Sequence, residues 1–184
     1  MPGDPGFRGW ITGSWLNLKN TPMSTPPLAL PLVFHIGMIY NTNMNSIQIV
    51  LDTNVLYSGL RSRYGASFKL LEQLNSNRFD INLSVPLVLE YEEVLLRKES
   101  TLNFTPAEIG YLLDYLCRIA NLHEVHFLWR PLLNDPKDDM ILDLAVRSHS
   151  QYIITYNTRD FTGVNKFGIQ AITAQEFLKT IEVI

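Results

Sequence analysis

The sequence predicts an α/β fold: a three-layer α/β/α domain built on a mainly parallel sheet of about five strands. Three observations lead there. Short apolar runs alternate with amphipathic helical stretches along the chain beyond residue 44. The first run, Ile47-Gln48-Ile49-Val50-Leu51, is apolar at nearly every position, as a strand covered on both faces must be. Two capping boxes, Thr105 with Glu108 and Thr173 with Glu176, mark helix starts between strand-like runs.

The elements follow in order. Residues 47–51 are β-branched and apolar and read as a buried strand. Residues 66–74 place Phe68, Leu71 and Leu74 on one helical face. Residues 79–83 read as a second strand. Pro86 then stands at a first helical position, and the helix runs to about residue 98. Thr105-Pro106-Ala107-Glu108 opens a helix through about residue 120. Residues 124–127 are expected to form a third strand. The polar loop Asn134-Asp135-Pro136 leads into a helix over residues 137–148. Residues 152–155 and 170–172 supply the fourth and fifth strands, and the Thr173 capping box opens the last helix.

Residues 1–43 do not share this pattern. They contain six of the ten prolines and show neither helical period nor alternation. The apolar stretch from Leu28 to Tyr40 is broken by Pro31 and is too short to span a bilayer. It starts late for a signal peptide, and no small-x-small cleavage site follows it. The expectation is a disordered leader, or upstream sequence translated from an early start, with Met44 opening a domain of residues 44–184. No membrane association is expected, and the cytoplasm is the expected location.

Composition narrows the function. Of 184 residues, 46% are hydrophobic and 18% charged, which excludes a disordered chain. The single cysteine, Cys117, excludes an internal disulfide and a cysteine-only metal cage. A net charge of −3 argues against binding nucleic acid by bulk charge, but not against an enzyme that meets phosphates through a cation. In open parallel sheets ligands bind beyond the carboxyl ends of the strands. Four acids from separate elements fall in that zone: Asp52, Glu90, Asp139 and Asp160. Such a cluster repels itself unless a cation neutralises it. Hard oxygen ligands suit Mg2+ or Mn2+, and an all-carboxylate pocket holding such an ion suits phosphodiester chemistry.

Four motifs in order carry a resemblance. Ile49-Val50-Leu51-Asp52-Thr53-Asn54-Val55-Leu56 resembles the first motif of the PIN domain, the nuclease fold of VapC-type toxins. Leu87-Val88-Leu89-Glu90-Tyr91 resembles the second, Asp135-Pro136-Lys137-Asp138-Asp139 the third, and Ile153-Ile154-Thr155-Tyr156-Asn157-Thr158-Arg159-Asp160 the fourth. The closing stretch from Phe167 to Leu178 is similar to a toxin-component subgroup of that family. The resemblance implies a parallel sheet flanked by helices and Mg2+- or Mn2+-dependent cleavage of RNA. It also implies neutralisation by a cognate antitoxin protein. Residue by residue, it gives metal-binding and catalytic roles to Asp52, Glu90 and Asp139, the last 16 residues before Thr155, with Asp138 and Asp143 as alternatives. The fourth motif departs from the common form: Asn157 stands where many members have aspartate, so Asp160 becomes the fourth acid. Thr53, Asn54, Thr155 and Asn157 are expected to support these acids through hydrogen bonds and bound water.

The remaining polar residues have plainer readings. Arg61, Arg63, Lys69, Arg159 and Lys166 flank the expected crevice and are candidates for phosphate contacts with RNA. Glu93 and Arg97 form an i,i+4 pair on a solvated face. His123 and His126, three apart on the expected strand, would point to opposite faces, and Cys117 reads as core. Tyr111, Leu112 and Tyr115 could belong to the core or to a homodimer face. A phosphatase of the haloacid-dehalogenase type would need aspartate at position 54, where Asn54 stands. The alternative function, a non-catalytic RNA-binding or regulatory PIN-like module, is kept open by Asn157.

Overall fold

The computed structural model describes residues 46–125, 133 and 135–184. The proline-rich leader of residues 1–43 lies outside the described residues, as do His126 and Asn134.

Five strands form one all-parallel sheet: β1 Ile47–Leu51, β2 Phe79–Leu83, β3 Asn121–Leu122, β4 Tyr152–Ile154 and β5 Gln170–Ile172. Their order is β3-β2-β1-β4-β5. Among the described residues the helices are α1 Thr53–Arg61, α2 Ala66–Glu72, α3 Val85–Arg97, α4 Glu99–Leu102, α5 Pro106–Ile119, α6 Pro136–Arg147 and α7 Ala174–Thr180. This is the α/β architecture that the alternation of strand and helix predicts. Ile49, Val50 and Leu51 are buried in succession, so both faces of β1 are covered, and the strand is apolar apart from Gln48, whose buried amide is hydrogen-bonded by Asn82 and Asn121. α6 lies over β1, β2 and β4, turning Ile141, Leu142, Leu144 and Ala145 inward.

The chain builds outward from β1 through β2 to β3, then returns to place β4 and β5 on the other side of β1. The order therefore reverses between β1 and β4, which leaves a crevice at their carboxyl ends. The Asp52 N–H donates to the Ile154 carbonyl at 2.9 Å across that junction.

Three local features depart from the sequence expectation. The helix that begins directly after β1 was not expected. Asp52 caps it, its side chain accepting from the Asn54 N–H, so the residue that ends the strand also starts the helix. The short α4 was likewise unexpected. The third strand is Asn121–Leu122 rather than residues 124–127; Glu124 and Val125 are outside any strand, and residues 126–127 lie outside the described residues. The apolar weight of the later stretch pointed away from Asn121, which looks like a loop residue. Its side chain instead donates to Gln48 Oε1, and the His123 N–H donates to the Leu83 carbonyl.

Both capping boxes are present as expected, at Thr105 with Glu108 and at Thr173 with Glu176. Gly59 sets the spacing of α1 and α2. A Cβ there would lie 2.6 Å from the Leu71 side chain and 3.0 Å from the Ser67 carbonyl. The two helices can approach this closely only because position 59 has no side chain.

Candidate active site

The crevice between β1 and β4 is organised around Asp52. Position 52 follows the last residue of β1, and Asp52 is only 7% exposed. Its Oδ2 accepts from Thr155 Oγ1 at 2.6 Å and from Asn54 Nδ2 at 2.7 Å, while its Oδ1 accepts from the Asn54 N–H at 3.2 Å. Burial pushes its pKa up, and these hydrogen bonds pull it part of the way back.

Thr155 is placed just past β4 and is fully buried. Its Oγ1 accepts from Asn54 Nδ2 at 3.2 Å and from the Asn157 N–H at 2.9 Å. With both lone pairs occupied, the hydroxyl proton has one use left, and it points at Asp52. Asn54 completes the frame: its Oδ1 accepts from the Tyr156 N–H at 3.2 Å. Thr155 and Asn54 thus tie Asp52, at the end of β1, to the end of β4. Tyr91, fully buried on α3, donates to the Leu51 carbonyl at 2.5 Å and fixes the backbone immediately before Asp52. Sequence reasoning gave Tyr91 no role; only its place next to Glu90 pointed to it.

Glu90 comes from α3. Its Oε1 accepts from Thr53 Oγ1 at 2.9 Å. Among the described residues its Oε2 is buried without a hydrogen-bond partner. Burial and the neighbouring Asp52 charge raise the Glu90 pKa, and Lys137, a cation the sequence reading did not single out, offsets part of that rise.

Asp138, one of the alternatives to Asp139, is half-buried and feels the charges of the other acids. Its pKa is raised to about 6, first by burial and then by the charges of Asp135, Asp52, Asp160 and Glu90. Asp139, the first choice from sequence, is placed differently. Its Oδ1 accepts from the Leu133 N–H at 2.9 Å, and its charge raises the pKa of Asp143. Adjacent helical residues are separated by about 100° around the axis, so Asp138 and Asp139 leave α6 in different directions. Burial, and after it the Asp139 charge, push up the pKa of Asp143, the other alternative.

Asp160 is exposed, and its charge reaches Asp138. Its N–H donates to the Asn157 carbonyl at 3.0 Å in a turn, and Asn157 itself is exposed. Arg61, Arg63, Lys69, Arg159 and Lys166 are all exposed; Arg63 stacks over the Tyr64 ring at 5.2 Å and Lys166 over Phe167 at 5.1 Å. His123 bonds through Nε2 to Asn82 Oδ1 at 2.8 Å, away from these acids.

The matching family model is the PIN domain, over residues 48–159. The chain belongs to the PIN domain family. PIN domains are generally nucleases, and in this PIN domain the matched span contains Asp52, Glu90, Asp138 and Thr155. A search of curated proteins finds no match. Among the described residues no helix is long and apolar enough to cross a membrane.

The donor chemistry of the pocket fits a hard divalent cation. All the side chains offered are carboxylates, and Glu90 Oε2 is a buried acceptor lacking a donor. Among the described residues, no three carboxylate, imidazole or thiol groups already enclose a single point. The acids stand around the crevice coupled by charge rather than closed into a cage.

Proposed function

We propose that this PIN domain is a Mg2+- or Mn2+-dependent endoribonuclease, acting in the cytoplasm as the toxin of a toxin–antitoxin pair. One observation carries the reading: a buried carboxylate, Asp52, lies in the same field as Glu90, whose Oε2 has no donor, and Asp138, whose pKa is raised by both. Burying such acids together is costly unless a cation compensates them.

Asp52, Glu90 and Asp138 would hold the ion, with Asp160 at the rim. When bound, the ion supplies an activated water and stabilises charge on the phosphorus oxygens. The chain's own residues orient the pocket. Thr155 and Asn54 fix the Asp52 carboxylate, and Thr53 fixes Glu90 so that Oε2 is left free for the cation. Asn157 would hold a water through its amide. Arg61, Arg63, Lys69 and Arg159 would meet RNA phosphates, each adding modest affinity that salt weakens. An antitoxin protein would bind the domain and stop cleavage.

The test is cleavage of a mixed RNA pool with Mn2+ and with EDTA, alongside expression in cells with and without the product of the neighbouring gene. Cleavage only with metal, and growth arrest relieved by that neighbour, support the reading. Metal binding without cleavage would favour the non-catalytic module, for which Asn157 in place of an acid is the structural argument.

A further inference from the structure

We propose that Tyr156 is a base-stacking residue, holding one unpaired base of a single-stranded nucleic acid beside the acid pocket. This inference rests on the nuclease reading above and assigns a substrate contact within it.

An exposed tyrosine on a surface is ordinary. Tyr156 differs in how it is held. It follows Thr155 directly, so its backbone leaves from the residue that hydrogen-bonds Asp52. Its N–H donates to Asn54 Oδ1 at 3.2 Å, and Asn54 also bonds Asp52. Its hydroxyl reaches Ser67 Oγ at 2.7 Å, and Ser67 is 1% exposed in the first turn of α2. Ser67 in turn belongs to the close contact of α2 with Gly59 on α1. The ring is therefore tied at its backbone end to the pocket and at its hydroxyl end to a packed helix. Between those ties it remains 47% exposed.

A ring fixed in this way loses little conformational freedom when a flat partner stacks on it. Every base has a π-face, and base–aromatic stacking tolerates sequence, so the contact selects for an unpaired base rather than for a particular one. In a duplex that face is occupied by its neighbours, and the base would have to leave the stack. Arg159, three residues on and exposed, could meet the adjoining phosphate.

A plain structural role makes a different forecast. If the hydroxyl only staples the β4 end to α2, Tyr156→Phe should be as damaging as Tyr156→Ala. The experiment uses the full chain with Mn2+. A short single-stranded RNA cut by the wild type is identified from a random pool and resynthesised with an abasic nucleotide at each position flanking the cut. Stacking predicts that Tyr156→Ala raises KM about 5- to 100-fold with kcat nearly unchanged. Tyr156→Phe should stay within about threefold of wild type, since the ring is kept. One abasic position should raise KM for the wild type and leave Tyr156→Ala unaffected. If Tyr156→Ala does not fold, Tyr156→Leu takes its place, with the same expectation. An unchanged KM in the ringless variant, equal loss in Tyr156→Phe, or an abasic effect of the same size in both proteins overturns the inference and leaves the nuclease reading standing. Failure of the wild type to cut any RNA overturns that reading, and this inference falls with it.

Discussion

Replacing Thr155 with valine tests whether Asp52 is held as described. Valine matches threonine in shape but has no hydroxyl, so the change removes the 2.6 Å bond to Asp52 Oδ2 and the acceptor shared by Asn54 Nδ2 and the Asn157 N–H. A hydrogen bond to a charged group contributes about 1.5–3 kcal/mol. Asn54 Nδ2 keeps Asp52 as its acceptor. The Asn157 N–H loses Thr155 Oγ1, but Asn157 is exposed and water can replace it. The loss should therefore be about 2–3 kcal/mol near neutral pH, a fall in Tm of roughly 6–9 °C for a domain of this size. Its pH dependence is the sharper part. Burial already raises the Asp52 pKa above the ordinary 3.8, and Thr155 is the first of the groups pulling it down. Without that bond the folded-state pKa rises further. A carboxylate with a raised folded pKa contributes most below its unfolded value and loses stability as pH climbs through the folded one. The gap between Thr155→Val and wild type should thus widen as pH rises above about 4 and narrow below it. Thr155→Ser should recover most of the loss and the wild-type pH profile. Chemical denaturation across that range measures all three proteins. A valine variant within about 0.5 kcal/mol of wild type at neutral pH would refute the reasoning. So would a gap that does not change with pH.

Other consequences can be checked alongside. Asp138→Asn should weaken Mn2+ binding by about tenfold or more, whereas Asp139→Asn should mainly lower stability by loosening the contact to Leu133; calorimetric titration and melting of both variants decide between the two positions. In metal-free protein the Asp138 pKa of about 6 means that its proton is bound more tightly folded than unfolded. Its contribution to stability should therefore increase as pH falls from about 7 toward 4, and Asp138→Asn should flatten that part of the wild-type Tm profile. Tyr91→Phe should cost about 1–2 kcal/mol in denaturant melts by removing the bond to the Leu51 carbonyl. A chain starting at Met44 should melt at the temperature of the full chain, as expected if residues 1–43 add no packing.

The fold was legible because β1 is apolar at every position but Gln48 and is covered on both faces, and because strand-like runs alternate with helical ones. The helices of α5 and α7 carry their starts in capping boxes that are local and need no tertiary information. β3 was not legible, since two residues give no periodicity and Asn121 is held by a side chain on β1. Helix α1 was obscured because Asp52, Thr53 and Asn54 serve the site and the helix start at once. At the site, the places of Asp52 after a strand and Glu90 on a helix were legible, and the motif resemblance singled them out. A choice between Asp138 and Asp139 was not legible, because it depends on how each side chain leaves α6. The alignment-like spacing to Thr155 favoured Asp139, while the charges of Asp52, Glu90 and Asp160 reach Asp138. Lys137 and Tyr91 were missed for a related reason: their roles come from what faces them across the crevice, and nothing in the adjoining sequence marks it.

Titrating Mn2+ into the wild type and Glu90→Gln tests the central claim most directly. Glutamine keeps the size of the side chain and its acceptor for Thr53, but replaces the anion whose Oε2 lacks a donor. The account predicts Mn2+ binding to the wild type, weakened about tenfold or more in Glu90→Gln with the fold intact. Equal Mn2+ affinity in the two proteins would contradict it.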